Sequence, residues 1–415
     1  MKRLIRAGWL IDGDASIICE DGAVLIDGQV IVAAGPATEV QLPAGPCETF
    51  DFPQGAVLPG LIDCHAHLTF GTGDRPYEAV MAEDSDDVMV KRGIRNCQIH
   101  LRAGVTTVRD CGARNATALT LREAAVAGLF DGPRLLVSGP PITPTRGHFW
   151  FCNGEADGVD GVRQRALDLL EQGVDLLKIM ASGGGTRGTD PAGAAYSVDE
   201  LAAAVEVAHG ADKRIVAHCL SAASVVNALA AGIDSLEHIN FIQPDGSRRM
   251  DEALAQRIVD RQVFVSPTIQ TGYRRLQKLK HQSSRSPAET AQMHDLDYKL
   301  ETKLSFVYRL HKAGARIVAA TDAIEAFGDF ALGLELLTQA GLSPLEAIRS
   351  ATGEAAEAIG VDNRTGALRP GKDADLVVVG GNPEVDISRL SEPQLVVRAG
   401  AVVFAGTAPV SSPAE

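Results

Sequence analysis

Short apolar runs recur along the middle of the chain, spaced so that one helix fits between each pair. The pattern predicts strands at residues 57–62, 105–108, 134–138, 176–180, 215–218, 235–238, 264–267 and 317–321. Between most of these runs apolar positions fall three and four apart, the period of a helix with one buried face. Residues 160–172, 198–211, 221–231, 251–261 and 344–359 are the clearest cases. Eight strands, each followed by a helix, is the count of a closed (β/α)8 barrel of the TIM type, an α/β fold whose functional residues sit at the C-terminal ends of the strands. An open doubly wound sheet shares the alternation, but the glycine fingerprint of its dinucleotide sites is missing. Residues 183–188 are glycine-rich without the Lys-Ser/Thr ending of a phosphate loop, so they read as a loop whose backbone passes close to a ligand.

Both ends of the chain have a different texture. Strands are predicted at 4–7, 23–26 and 30–34, with Asp27-Gly28 as a hairpin signal, and again at 374–379 and 395–404. The shared texture predicts a small β-sandwich domain assembled from both termini, residues 1–56 and 366–415, beside a barrel over 57–365. Residues 273–303 are highly charged and helical in composition. This segment is longer than a barrel connection requires, which points to a lid or an oligomer contact.

The length of 415 residues suits one large barrel plus a smaller unit, and 45% hydrophobic with 22% charged residues is ordinary for a soluble protein. A net charge of −14 disfavours nucleic acid and anionic membranes as partners and leaves small-molecule substrates. No run of about 18 apolar residues predicts a membrane span. Asp12, Asp14 and Glu20 interrupt any signal-peptide core, so a cytoplasmic location is expected. Seven scattered cysteines without a C-x-x-C pair argue for reduced thiols and against a thiolate metal site.

The candidate chemistry emerges when polar residues are set against the strand map. His65 and His67 end the first barrel strand, and residues two apart in a strand face the same side. His218 ends the fifth strand, His238 the sixth, and Asp322 follows the eighth. A barrel brings these ends to one mouth, and neutral imidazole is a common ligand of zinc-like ions. Lys178 lies inside the apolar run Asp175-Leu176-Leu177-Lys178-Ile179-Met180, where an unpaired ammonium is costly. An aspartate partner is one solution. Uptake of carbon dioxide by the neutral amine is another, giving a carbamate whose two oxygens bridge two cations.

Taken together the motifs resemble the amidohydrolase superfamily, in its prolidase-like and imidazolonepropionase-like branch. The resemblance spans nearly the whole chain. It rests on Leu58-Pro59-Gly60-Leu61-Ile62-Asp63 leading into His65 and His67, on Ala103-Gly104-Val105-Thr106-Thr107-Val108-Arg109-Asp110, and on Gly154-Glu155-Ala156-Asp157-Gly158. It continues through Lys178-Ile179-Met180-Ala181-Ser182-Gly183-Gly184, Glu237-His238, Thr321-Asp322, Ser350-Ala351-Thr352, residues 366–371 and Ala374-Asp375-Leu376. The resemblance implies a binuclear centre of divalent ions, usually zinc, with manganese or cobalt also accepted by such ligands. One ion would sit on His65, His67, the N6-carboxylated Lys178 and Asp322, the other on Lys178, His218 and His238. It further implies attack of a metal-bridging hydroxide on an amide-type C–N bond, with Asp322 passing the proton to the leaving amine and His148 polarising the carbonyl. A homo-oligomer is implied as well.

Two departures bear on the substrate. Relatives that cleave dipeptide-like compounds carry a tyrosine two residues after the strand-five histidine, where this chain reads His218-Cys219-Leu220. Glu237-His238 is followed by Ile239-Asn240 in place of a more usual glycine. The expected substrate is an N-acyl amino acid, an aromatic amide or a dipeptide-like compound. Both changes predict a more apolar mouth, which weakens the dipeptide assignment and favours an apolar or aromatic N-acyl amide, carbamate or similar compound, with Arg146 or Arg187 as candidate receivers of a substrate carboxylate. The alternatives are a carbamate or urea-type hydrolase, a mononuclear cyclic-amide hydrolase or deaminase, and a catalytically silent scaffold of the same fold.

Overall fold

In the computed structural model, which describes residues 1–14, 18–41, 45–71, 75–324, 326–406 and 410–411, the strands fall into three sheets. The N-terminal strands are β1 (Lys2–Ile11), β2 (Ile18–Asp27), β3 (Val30–Pro36) and β4 (Cys47–Pro59). A parallel set of three follows: β5 (Leu61–Ala66), β6 (Val105–Asp110) and β7 (Arg134–Val137). A second parallel set has five: β8 (Leu176–Met180), β9 (Arg214–Ser221), β10 (Ser235–Ile242), β11 (Phe264–Ser266) and β12 (Arg316–Ile317). The chain ends with β13 (Leu376–Gly380), β14 (Pro393–Arg398), β15 (Ala401–Ala405) and β16 (Val410–Ser411), which join β1–β4 in one eight-stranded sheet. Strands from both termini therefore share a sheet, with β4 paired to β1 on one side and to β13 on the other. Residues 407–409 and 412–415 of the expected C-terminal segment lie outside the described residues.

Alternation explains why this sheet is so apolar at its centre. Phe50, Phe52 and Val57 of β4, with Leu376 and Val378 of β13, pack into one cluster, while Ala56, Leu58, Val377 and Val379 face the large core of the parallel part. A strand buried on both faces needs a near-continuous hydrophobic run, which is what Leu376-Val377-Val378-Val379 supplies. Arg134 on β7 ties the two parts together, with Nη1 2.7 Å from Asp375 and Nη2 2.6 Å from Asp373.

The eight expected parallel strands appear as three plus five, with isolated parallel bridges Ile142–Ile179 and Ala66–Ala323 between the sets. Each of β6 to β11 lies close to its expected run, and helices alternate with them, including Gly158–Glu171, Val198–Gly210, Ala222–Ala231 and Glu252–Asp260. Four expectations are corrected. The strand expected at 57–62 breaks at Gly60, where a Cβ would lie 2.1 Å from Thr106 Oγ1; β4 ends in the terminal sheet and β5 begins the parallel one. The run at 317–321 is strand only over Arg316–Ile317, because Ala319 N donates to Ser350 O at 2.8 Å. The expected helix at 344–359 is two, Pro344–Ser350 and Gly353–Ala358, interrupted at Thr352, whose hydroxyl donates to Ile348 O and Gly13 O. Residues 395–404 form two strands joined by a turn at Ala399 and Gly400, both with positive φ.

The charged insertion is two helices, Tyr273–His281 and Pro287–Lys312. The second starts with a capping box between Ser286 and Glu289 and has proline in its first turn, a strong start signal. All seven cysteines are free thiols, five of them buried. Among the described residues no helix is long and apolar enough to cross a membrane.

Candidate metal centre

The residues singled out in sequence converge. His65, in the fully buried β5, places Nε2 3.3 Å from Nε2 of His67, which follows the strand directly. Asp322 Oδ1 lies 3.5 Å from His65 Nε2 and 3.4 Å from His67 Nε2, and its Oδ2 lies 3.8 Å from His238 Nδ1. Ligand atoms of His65, His238 and Asp322 all fall within 4.8 Å of one another. The His238 ring is centred 4.9 Å from His65 and 4.5 Å from His218, which in turn lies 4.5 Å from His148. These side chains and Lys178 line one cavity of about 330 Å³.

Each imidazole is held by one nitrogen. His65 Nδ1 is 2.6 Å from Glu237 Oε2, His67 Nδ1 donates to Gly112 O at 2.9 Å, and His218 Nε2 donates to Gly183 O at 3.1 Å. Carbonyl oxygens only accept, so the bonded nitrogens of His67 and His218 carry the protons and the opposite nitrogens carry lone pairs. His238 Nδ1 meets Thr268 Oγ1 at 2.8 Å, and His148 Nδ1 meets Thr186 Oγ1 at 2.8 Å. Burial, reinforced by neighbouring cationic groups, holds His65, His218 and His238 well below the usual histidine range and lowers His148 to about 3. Neutral imidazole is the ligating form.

Glu237 was legible only as part of a motif, and its role emerges here. Its Oε1 accepts from Arg109 Nη2 at 2.8 Å and from Ser235 Oγ at 2.7 Å, so the carboxylate is fixed before it meets His65. Charge inside the apolar strand β10 is the same signal that marked Lys178 in β8. Lys178 is 0% exposed, and its Nζ has no hydrogen-bond partner among the described residues. A buried, unpartnered amine beside four imidazoles and a carboxylate fits a site for divalent cations, because an ammonium left so would cost several kcal/mol. The backbone at the ligands is left-handed, with φ of 68° at His238, 36° at Ile239 and 54° at Asp322. Such non-glycine conformations cost roughly 1–3 kcal/mol each and cluster at functional sites.

The cavity has two kinds of wall. Tyr77, Phe149, Met180 and Ile324 belong to one apolar cluster with Phe70 and Phe151. Arg248, Lys299 and Lys303 line it elsewhere, the two lysines coming from the helix Pro287–Lys312. The insertion therefore builds part of the site. Of the two departures, Leu220 faces the cavity as expected, but Ile239 is buried in the core and Asn240 lines the cavity with Oδ1 unpartnered, so that change makes the mouth more polar. Arg146 and Arg187 are exposed and do not line the cavity. Gly184 leaves room for His148, since a Cβ there would lie 2.6 Å from Nε2 of that ring.

Residues 56–404 match the model of the amidohydrolase family. Ochratoxinase from Aspergillus niger is 28% identical over 97% of this chain and 86% of its own length. The crystal structure of a Xaa-Pro dipeptidase with bound methionine superposes with a TM-score of 0.84 at 25% identity, covering 98% of this chain and 100% of that one. A prolidase complexed with N-methylphosphonate-L-proline gives 0.83 at 28% identity, with the same coverage.

Proposed function

The chain belongs to the amidohydrolase family and is a metal-dependent hydrolase of amide-type C–N bonds, and we propose that it cleaves N-acyl amino acids or related aromatic amides at a binuclear centre. In this reading His65, His67, Lys178 and Asp322 would hold one ion and Lys178, His218 and His238 the other, and Lys178 would serve both as its carbamate. Zinc suits the donor set, and manganese and cobalt are accepted by the same ligands. When bound, the ions supply Lewis-acid polarisation of the scissile carbonyl and an activated water.

The chain's own residues then divide the work. Asp322, its side chain 12% exposed at the cavity, holds the proton released on attack and returns it to the leaving amine. His148 donates from Nε2 to the carbonyl oxygen. Thr186 Oγ1, which accepts from Phe149 N, lies 2.8 Å from His148 Nδ1 and holds the ring; its hydroxyl proton turned to Nδ1 would leave the ring proton on Nε2. The aromatic wall excludes water from one side of the substrate.

The single observation that carries the reading is Lys178 Nζ, buried without a hydrogen-bond partner among the described residues and lining the same cavity as the histidines and Asp322. A mononuclear cyclic-amide hydrolase or deaminase has no use for it. Carbamate or urea-type substrates share the chemistry and form separate arms of the test. Metal analysis combined with hydrolysis of N-acyl amino acids, aromatic amides, carbamates and ureas decides the matter; one ion per chain with Lys178 unmodified would refute the binuclear centre. The same reading includes a closed (β/α)8 barrel over 57–365, a small β-sandwich unit from 1–56 and 366–415, and a cytoplasmic homo-oligomer.

A further inference from the structure

The chain has a net charge of −14, yet among the described residues Asp322 is the only acid lining the cavity, whereas Arg248, Lys299 and Lys303 all face it. Lys299 is matched by Asp295 at 2.5 Å. The other two form no salt bridge among the described residues, and Asp295 attracts Arg248 and Asp322 attracts Lys303 only at longer range. Lys303 is 8% exposed and donates a single hydrogen bond, to Thr268 O at 3.0 Å. The half-buried Arg248 makes no hydrogen bond or ion pair among the described residues. Buried cations are normally paired, so a pair left open toward a cavity marks a place for an anion.

Position narrows the anion. Thr268 meets the His238 ring through its hydroxyl and Lys303 through its carbonyl, so the ammonium stands beside the candidate metal centre. Burial lowers Lys303 to about 8; Asp322 opposes the shift, and repulsion from Arg248 and Lys299 adds to it. An anion between Arg248 and Lys303 would relieve that repulsion. The apolar cluster of Tyr77, Phe149, Met180 and Ile324 lines the same cavity without any charge.

Building on the proposed hydrolysis, we infer that Lys303 and Arg248 bind a carboxylate next to the scissile nitrogen, making the substrate an N-acyl amino acid with an apolar group and not a neutral amide, carbamate ester or urea. Arg146 and Arg187, off the cavity, have no part in it. Both cations touch substrate and neither moves a proton.

The test uses the full-length zinc-loaded protein and two non-hydrolysable probes that differ only in the carboxylate, N-benzenesulfonyl-L-phenylalanine and N-benzenesulfonyl-2-phenylethylamine. Calorimetry is expected to show the acid binding at least about tenfold more tightly, with that advantage lost in Lys303→Met and in Arg248→Gln and the neutral probe unaffected. Retained metal content and circular dichroism establish that each variant is folded. Equal binding of the two probes, binding of neither, or an advantage that survives both substitutions overturns the carboxylate site; the last result would place the acid on the metals. Hydrolysis of N-benzoyl-L-phenylalanine and N-benzoyl-2-phenylethylamine separates this inference from its premise. Acid-selective binding without cleavage of either sinks the hydrolytic reading for these amides and leaves the anion site, whereas equal cleavage of both keeps the hydrolase and removes the site.

Discussion

Glu237 Oε2 lies 2.6 Å from His65 Nδ1, joining the middle of β10 to the end of β5 through a carboxylate that Arg109 and Ser235 already hold. The pairing fixes the imidazole plane and raises the basicity of Nε2, which faces Asp322. Glu237→Gln keeps the shape and removes the charge. Metal affinity is expected to fall roughly 10- to 100-fold with little change in fold. Metal retention during dialysis against a graded chelator series measures it, and unchanged retention would show that His65 needs no orienting partner.

Lys178→Ala should abolish most hydrolysis, about 10³-fold or more, and reduce bound metal from about two equivalents toward one. The vacated space opens into the cavity lined by His65, His238 and Asp322, where the proposed centre would still need an anion. Small carboxylic acids such as formate are therefore expected to restore part of the activity in a concentration-dependent way. Activity that is absent and not rescued, with full metal content, would argue that the amine nitrogen and not its carbamate is what matters.

Gly184→Ala tests His148 without touching it. The added methyl would lie 2.6 Å from Nε2 and 2.7 Å from Cδ2, so the ring or the loop carrying Gly184 has to shift and the placement of Nε2 is lost. The expected result is a drop in kcat of about 10²-fold, similar to His148→Ala, with KM little changed. Steady-state kinetics on the same substrate compares them. A fully active Gly184→Ala variant would remove His148 from the reaction.

Arg134 offers a test of how the terminal sheet is fastened. It is nearly buried and contacts Asp375 and Asp373 at 2.7 and 2.6 Å, and Asp375 is 1% exposed. Arg134→Met strands a buried carboxylate, at a cost of about 3–5 kcal/mol. Arg364→Met, which breaks only the exposed Arg364–Asp373 pair at 2.8 Å, should cost less than about 1 kcal/mol. The two urea denaturation midpoints make the comparison, and similar shifts would refute the buried link.

Much of the candidate site was legible because strand ends are easy to locate. Runs such as Leu176–Met180 and Ser235–Ile242 announce themselves, so His218, His238 and Lys178 could be placed on one rim before any coordinates. Glu237 was equally visible by the logic applied to Lys178, since both are charges inside apolar strands. Its partner was not, because the contact with His65 spans 172 positions and depends on how two separate parallel sheets face one another. The carbonyls of Gly112 and Gly183 carry no side-chain signal at all. Lys303 closes the charged segment read as a lid or an oligomer contact, and only the way its helix docks shows it buried at the cavity. Fold boundaries failed for a related reason: the break at Gly60 comes from the crowding of Thr106, a contact between strands and not a local propensity.

His100 gives a pH dependence whose sign follows from burial. It is 0% exposed, its Nδ1 accepts from Gly328 N at 3.3 Å, and its Nε2 lies 3.7 Å from Asp63. Burial lowers it from 6.5 to about 4. An unfolded chain gains a proton at this position below about 6.5 that the folded chain refuses until about 4, so stability falls with acidification across that window and levels off below it. His100→Gln keeps an acceptor and cannot titrate. It should be the less stable protein at pH 8, with its deficit shrinking by about 2 kcal/mol at pH 5. Acid effects on the other histidines are common to both proteins and cancel in the difference. A deficit that stays constant between pH 8 and pH 5 would mean that His100 takes up its proton in the folded chain as readily as in the unfolded one, and a deficit that grows would mean that it is held charged against Asp63; either result refutes the effect of burial.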